Sequence, residues 1–482
     1  MYSDLELILF FWSVWILIPL IIDGYQSIRD AFLVLSHRKK ALPYPPIPKH
    51  RLPKISVIIP AFNEQLNIDR CITSLKAQTY PHHLIEIIVV DDGSTDRTEE
   101  VVNGHINGNA HWNGHIRLHN QIIPAQEFGG VMTLLQGGHK GKPAAVNSGL
   151  RQCRGELVMT IDSDVVLEPE AVEQAVAAFR LDPEMVAATA HLIIDQNLLV
   201  EANENGHIRL DDENLPIQKK LNISERFLAV SQFLEYFQSF RIGRHAESVR
   251  GELFTLSGAC AIFRRETLIR IKGYRARTVS EDTDATFMIH REEGKIGYLP
   301  QVRIHLAPSV SWRDLFAQRV RWQRGELEVI SVNSDKIGKG SRFWSRGLPY
   351  RLLKDHTLSL VKMVWTFLLP IFPLLGYPPS IIVRAFGLMY VLYIALDVMQ
   401  TIIALSISTK SERMKLREAA LIIPILPLYR LAVYFFRLSG ILRSLSEEPS
   451  WTAETEWVDQ IKLSRLKPLV RWVGSLVKAW ED

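Results

Sequence analysis

Two aspartates one residue apart, Asp162 and Asp164, follow directly on the apolar run Leu157-Val158-Met159-Thr160-Ile161. A short uncharged run of this kind reads as a buried strand. In an open α/β sheet, ligands are met by the loop beyond the carboxyl end of such a strand. Two carboxylates in that loop can share one hard divalent cation, which prefers oxygen ligands and often holds a substrate phosphate too. The same stretch also suits a helix start, since Asp and Ser ahead of Glu168-Pro169-Glu170 are good capping residues. Two more acidic groups stand at comparable places. Asp91-Asp92-Gly93-Ser94-Thr95-Asp96 closes a second apolar run, where Asp and Gly also make ordinary turns. Val279-Ser280-Glu281-Asp282-Thr283-Asp284 opens a helix, where acids are favoured by the macrodipole.

The elements needed to position these groups form an alternating pattern. Ile55-Ser56-Val57-Ile58-Ile59-Pro60 is a buried parallel strand in character, short, β-branched and closed by Pro. A helix over 67–78 puts Ile68, Cys71, Ile72 and Leu75 on one face, and a second buried strand covers 85–90. Strand and helix then alternate to about Ala190, which predicts an α/β domain with a doubly wound, mostly parallel sheet. An Asn/Gly/His-rich stretch interrupts the pattern between Val101 and Gln136. Its His105, His111, His115 and His119 are separated by helix-breaking residues and read as a solvated insertion, not a metal site. Residues 227–240 are aromatic and helical, 253–263 read as a strand with a small-residue kink, and 312–330 form an amphipathic helix.

Composition divides the chain. Hydrophobic residues make up 47%, but they concentrate toward the two ends. The net charge of +4 and the absence of a dense Lys/Arg run argue against nucleic acid as a partner. Cys71, Cys153 and Cys260 are scattered without metal-ligand spacing and suit buried thiols in a reducing compartment. Residues 7–22 carry no charge and follow Asp4 and Glu6, which fits a membrane anchor better than a secretory leader. Arg38, Lys39 and Lys40 behind it predict a cytoplasmic domain. A Pro-rich linker occupies 41–54. Apolar runs at 358–377, 385–407 and 419–436 are each long enough to cross a bilayer, and each holds at most one charge: Lys362, Asp397 and Arg430. Pro424, Pro427 and Arg430 leave the last run open between a full span and a re-entrant or interfacial segment. The division is therefore 1–40 anchor, 41–54 linker, 55–335 catalytic domain, 336–440 membrane region and 441–482 tail, its Trp, Lys and Arg residues suited to an anionic leaflet.

In order, Val57-Ile58-Ile59-Pro60-Ala61-Phe62-Asn63-Glu64, Asp91-Asp92-Gly93-Ser94-Thr95-Asp96, Asp162-Ser163-Asp164, Ser280-Glu281-Asp282 and Gln318-Arg319-Val320-Arg321-Trp322 form a set. The set resembles the processive membrane glycosyltransferases of family 2, which include cellulose, hyaluronan, chitin and poly-N-acetylglucosamine synthases. Around 254–284 it is also similar to the exosortase-associated branch. The resemblance covers about 54–326 and implies a GT-A domain flanked by transmembrane helices, in a multi-pass plasma-membrane protein. It implies that Pro60, Asn63, Glu64, Asp91, Asp92, Lys142 and Asp162 meet a UDP-sugar, and that Asp162 and Asp164 hold Mg2+ or Mn2+. Asp282 would be the general base, with Glu281 its competitor and Asp284 behind it. Ser257 and Gly258 would let an acceptor sugar approach. Gln318, Arg321 and Trp322 would hold diphosphate and acceptor. Ser-Glu-Asp here replaces the family's usual Thr-Glu-Asp and keeps the hydroxyl and both acids. The implied reaction is inverting transfer of N-acetylglucosamine or glucose to a β-linked polysaccharide, with export. The alternatives are single transfer to a polyprenyl phosphate or other lipid-linked acceptor, and a nucleotide-binding transporter or scaffold. No cyclic-dinucleotide receptor domain follows the last apolar run, so regulation or export of that kind would need an accessory subunit.

Overall fold

The computed structural model describes residues 20–37, 44–45, 52–108, 115–118, 121–124, 127–201, 208–209, 211, 216–352, 369–376 and 378–446. Ten strands are seen among the described residues: β1 Ile55–Ala61, β2 Ile85–Asp91, β3 His115–Leu118, β4 Gln121–Pro124, β5 Val131–Gln136, β6 Leu157–Ile161, β7 Val166–Leu167, β8 Met185–Ile194, β9 Cys260–Arg264 and β10 Lys295–Leu306. Eight of them make one sheet in the order β5-β2-β1-β6-β9-β8-β10-β7. β1 is buried at all seven positions, as its unbroken run of branched apolar residues requires of a strand covered on both faces.

The sheet is mixed: four of its seven pairings are parallel, as a mostly parallel sheet requires, and three are antiparallel. β5, β2, β1 and β6 run parallel, as do β8 and β10. Between the two blocks β9 runs antiparallel to both β6 and β8, and β7 pairs antiparallel with β10. The kinked strand expected over 253–263 forms a ladder only at Cys260–Arg264. The preceding Leu256 and Ser257 amides are taken by Thr286 Oγ1 and Thr189 Oγ1 at 2.8 and 3.1 Å instead of by a partner strand. That detour brings Ser257 and Gly258 to the open end of the sheet.

The helices that matter to the site are α1 Ile68–Lys76, α2 Lys142–Gln152, α3 Ile223–Gln238, α4 Glu281–Arg291 and α5 Trp312–Val332. α2 begins with Pro143 in its first turn, where a missing N–H costs nothing. α3 starts on a capping box, Asn222 with Glu225, and α5 on Ser311, whose hydroxyl accepts from the Arg313 and Asp314 amides.

Beyond the sheet, α6 Pro379–Ser406, α7 Lys410–Ala419 and α8 Leu426–Ser446 follow. Among the described residues two helices, Pro379–Ser406 and Lys410–Ser444, are long and apolar enough to cross a membrane. The run at 419–436 lies inside the second of these, with Pro424 accommodated in a tighter turn over Ala420–Ile425. Within 358–377 only a short 3₁₀ turn, Leu369–Leu375, is described. The expected anchor at 7–22 lies outside the described residues except for its last three, as do most of the linker at 41–54 and the tail from 447 on.

Part of the insertion lies within the described residues. His105 is not solvated. It is buried and its Nε2 lies 2.7 Å from Asp69 Oδ1 on α1. His115 opens the β3–β4 hairpin, while His111 and His119 fall outside the described residues.

Candidate active site

The carboxyl ends of β1 and β6, the turn after β2, the start of α2, the 255–259 detour, the start of α4 and the middle of α5 enclose one cleft of about 710 Å³. Pro60, Glu64, Asp92, Lys142, Asp162, Asp164, Ser257, Gly258, Glu281, Asp282, Gln318, Arg321 and Trp322 all line it. Asn63 and Asp91 do not. Asn63 Oδ1 accepts from the Thr95 amide at 2.8 Å, tying the loop after β1 to the turn after β2, and Asp91 Oδ1 accepts from the Ser94 amide at 2.9 Å within that turn.

Asp92 is fixed at the opposite side of the same turn. Its two oxygens accept from the amides of Lys140 and Gly141 at 2.9 and 2.7 Å. A carboxylate has about four acceptor sites, so capacity remains on the cleft side. Phe62 and His139 stand beside it with ring centroids 4.2 Å apart.

Lys142 is the electrostatic centre. Its ammonium lies 2.5 Å from Asp162 Oδ1 and 3.4 Å from Glu281 Oε1, and it donates to the Gly258 carbonyl at 3.4 Å. Burial works against its charge, but Asp162, Glu281 and Asp282 outweigh that and hold it protonated. On one flank, burial and then repulsion from Asp162 and Glu64 push Asp164 up to about 7. Glu64 is raised as well, first by burial, with its hydrogen bond from Asn67 opposing and Asp162 adding to the shift. Three oxygen-donor side chains thus repel one another around a gap, an arrangement that a hard dication would relieve. Among the described residues, no three His, Cys, Asp or Glu side chains close tightly enough to hold an ion alone.

On the other flank sits Asp282. Its Oδ2 accepts from the Gly258 amide at 2.8 Å and its Oδ1 from the Thr283 amide at 2.6 Å. Burial and the neighbouring Glu281 charge push it up to about 6, while Lys142 and the two amides pull the other way. Gly258 is needed for this closeness: a Cβ there would stand 3.1 Å from Asp282 Oδ2 and 3.2 Å from Lys142 Nζ. Asp284 is engaged elsewhere, in a two-pronged pair with Arg277 at 2.8 and 2.6 Å.

α5 forms the third wall. Arg319 is buried, bonded to Glu235 at 2.6 Å, and lies 4.4 Å from the Trp322 ring centroid. Arg321 is exposed, with no ion-pair partner among the described residues. Gln318 Oε1 is buried and makes no hydrogen bond among the described residues. Beyond this wall the cleft continues past Arg244, Arg351 and Glu326 to Val433 and Arg437 on α8. Sequence reasoning missed these because they carry no motif of their own, and Arg437 sits among apolar residues of α8. The one available signal was that charge, kept inside an otherwise apolar stretch.

Residues 56–271 match Glycosyl transferase family 2, and residues 221–407 match Glycosyl transferase family group 2. The poly-beta-1,6-N-acetyl-D-glucosamine synthase of Staphylococcus aureus (strain COL) is 23% identical over 324 residues, 67% of this chain and 65% of the relative. The enzyme of the same name from Staphylococcus epidermidis is 24% identical over 276 residues, 57% of this chain and 55% of the relative. The chain thus spans less than two thirds of the length of these relatives. Among solved structures, the mannosyltransferase PcManGT from Pyrobaculum calidifontis, in complex with GDP-Man and Mn2+, superposes with a TM-score of 0.54 at 19% identity, over 86% of this chain and 98% of that one. This likeness places the mixed sheet among the GT-A glycosyltransferase folds. The two matches together run from 56 to 407, so the chain carries glycosyl transferase family 2 domains and is a glycosyltransferase.

Proposed function

We propose that this chain is an inverting membrane glycosyltransferase that moves a sugar, N-acetylglucosamine or glucose, from its UDP donor to the growing end of a β-linked polysaccharide. The observation that carries the reading is that Asp282 and the Asp162/Asp164 pair face one cleft from opposite flanks, with Lys142 between them. The synthases it resembles support the choice of product class.

In this reading Asp92, held by two backbone amides, accepts from the imide N–H of the base. Lys142 and Arg321 meet the diphosphate, Arg321 as a guanidinium fork matched to phosphate oxygens. Asp162 and Asp164, with Glu64 near them, would hold Mg2+ or Mn2+, which when bound supplies positive charge against the departing diphosphate. Asp282 takes the proton from the acceptor hydroxyl as that oxygen attacks the anomeric carbon. The bond from that carbon to the UDP oxygen breaks on the opposite side, so one displacement inverts the centre. Glu281 keeps Asp282 poised by raising its pKa. Trp322 offers an apolar face to the acceptor sugar, and the unpaired Gln318 oxygen a place for one of its hydroxyls. Val433 and Arg437 carry the cleft onto α8, a route for product toward the bilayer from a cytoplasmic domain.

The test uses full-length protein in lipid nanodiscs with Mg2+ or Mn2+ and a panel of UDP-sugars, scored for UDP release and product length. A polymer is expected from one sugar. Transfer of a single sugar to a polyprenyl phosphate would replace the processive reading. Asp282→Asn should abolish turnover while UDP still binds, and continued turnover would defeat the mechanism.

A further inference from the structure

α5 meets the Glu281/Asp282 turn as well as the acceptor side of the cleft, and the contact is unusually close. A Cβ on Gly325 would fall 2.0 Å from Ser280 Oγ, 2.7 Å from Ser280 Cβ and 3.0 Å from Val279 Cγ2. No such approach is possible for any other residue type without displacement. Gly325 stands well inside a helix of 21 residues, where Gly is about 1 kcal/mol less favourable than Ala. A mid-helix Gly therefore calls for a packing reason, and the contact with Ser280 provides one. Two more contacts flank it. The Val279 amide donates to Glu328 Oε2 at 3.0 Å, and Glu328 is itself held by Arg324 at 2.5 Å. Further on, Asn333 Nδ2 donates to Asp284 Oδ1 at 3.4 Å.

We propose that Gly325 is a positioning residue for the transfer reaction: its bare backbone seats α5 on Ser280 and thereby fixes where Asp282 points. The proposal rests on the reading of Asp282 as the base. One helix then sets both the acceptor platform, through Gln318 and Trp322, and the base that must meet the acceptor hydroxyl. A shift of Ser280 by even an ångström would carry Asp282 off the Gly258 amide. Misplacement of that size can cost about 100-fold in rate.

The experiment is a double-mutant cycle in the nanodisc-embedded full chain, read as kcat, UDP affinity and pH profile. Gly325→Ala is expected to lower kcat roughly 10- to 100-fold with UDP affinity falling much less, because β1, β2 and the 137–142 loop build most of the nucleotide end and α5 adds only Arg321 to it. Its acid limb should move to higher pH, since Asp282 loses a hydrogen bond that favours its charged form. Adding Ser280→Gly, which removes both atoms nearest the new methyl, should restore most of the lost kcat and return the acid limb. If Gly325→Ala does not fold, recovery of folded, active protein in the double variant carries the same meaning. Parental kcat in Gly325→Ala, a loss that Ser280→Gly does not relieve, or UDP affinity falling in step with kcat would each overturn the proposal. Turnover that survives Asp282→Asn would instead remove the reading beneath it.

Discussion

Asp282 sits where two requirements conflict. A base must be ionised to accept a proton, yet burial and Glu281 raise it to about 6, above the ordinary carboxylate range. The rate, as kcat/KM, is therefore expected to climb as pH rises through about 6 and to level off above. Glu281→Gln removes the like charge and should move that limb to lower pH, with a pH–rate profile as the check. Stability moves in the opposite direction. Between an unfolded pKa near 4 and a folded value near 6, the folded chain binds more protons than the unfolded one, so stability falls as pH rises across that window. Asp282→Asn should then unfold later than the parent at pH 7, by up to about 3 kcal/mol, and lose the advantage below about pH 4. Thermal scans at the two pH values decide this. On the other flank, chelation of divalent ions should stop turnover. Asp164→Asn should raise the Mn2+ concentration needed for half-maximal rate about tenfold or more, since a ligand among few protein donors is lost. An unchanged requirement for metal would remove Asp164 from that role.

At the scale of elements, α5 is where the site's halves meet, and its residues should separate kinetically. Arg321 has no ion-pair partner among the described residues and faces the cleft. Arg321→Ala should weaken UDP binding by roughly 10- to 100-fold, the range of one charged hydrogen bond, while Arg321→Lys recovers part. Trp322→Ala should instead raise the acceptor KM and leave UDP affinity as it was, a split that equilibrium UDP titration beside initial rates would reveal. Much of this was legible in the sequence, because strand ends, Asp-x-Asp and Ser-Glu-Asp are local patterns. The helices over 68–76 and 312–332 fell within two residues of their expected bounds for the same reason. The antiparallel course of β9 was not legible, since nothing local to Cys260–Arg264 states which strands flank it. Asn63 and Asp91 show a similar limit. Their side chains suit a nucleotide pocket by type, but in the structure Asn63 bonds across to the β2 turn and Asp91 closes that turn on itself. Gly325 was passed over because its significance lies in a residue 45 positions earlier in the chain.

For the whole molecule, the question is what holds the apolar helices to the sheet that carries the chemistry. One answer is polar. α7 reaches into the domain, where Glu412 pairs with Arg241 and Lys415 bonds to Asp195 at 2.8 Å. The other lies between the candidate membrane helices. Asp397 of α6 is fully buried and pairs with Arg430 of α8 at 2.6 Å, and Arg430 also donates to Gln238 of α3 at 2.7 Å. Gln238 in turn donates to Thr401 of α6 at 3.4 Å, so three helices share one charge cluster. The two isolated charges that marked the last apolar runs of the sequence thus answer each other. Neutralising both would cost little, because the desolvation of each ion is saved when the pair is lost. Removing one is different, since the remaining carboxylate has no route to water. Arg430→Ala should therefore destabilise the protein in lipid by about 3 kcal/mol or more, and the Asp397→Asn/Arg430→Gln pair by clearly less. Denaturation midpoints in nanodiscs measure the difference. Because Val433 and Arg437 of the same helix line the cleft, Arg430→Ala should also lower turnover, and the double variant should regain it. Equal losses in the single and double variants would show that the cluster acts as hydrogen-bonding glue and that its opposite charges are incidental.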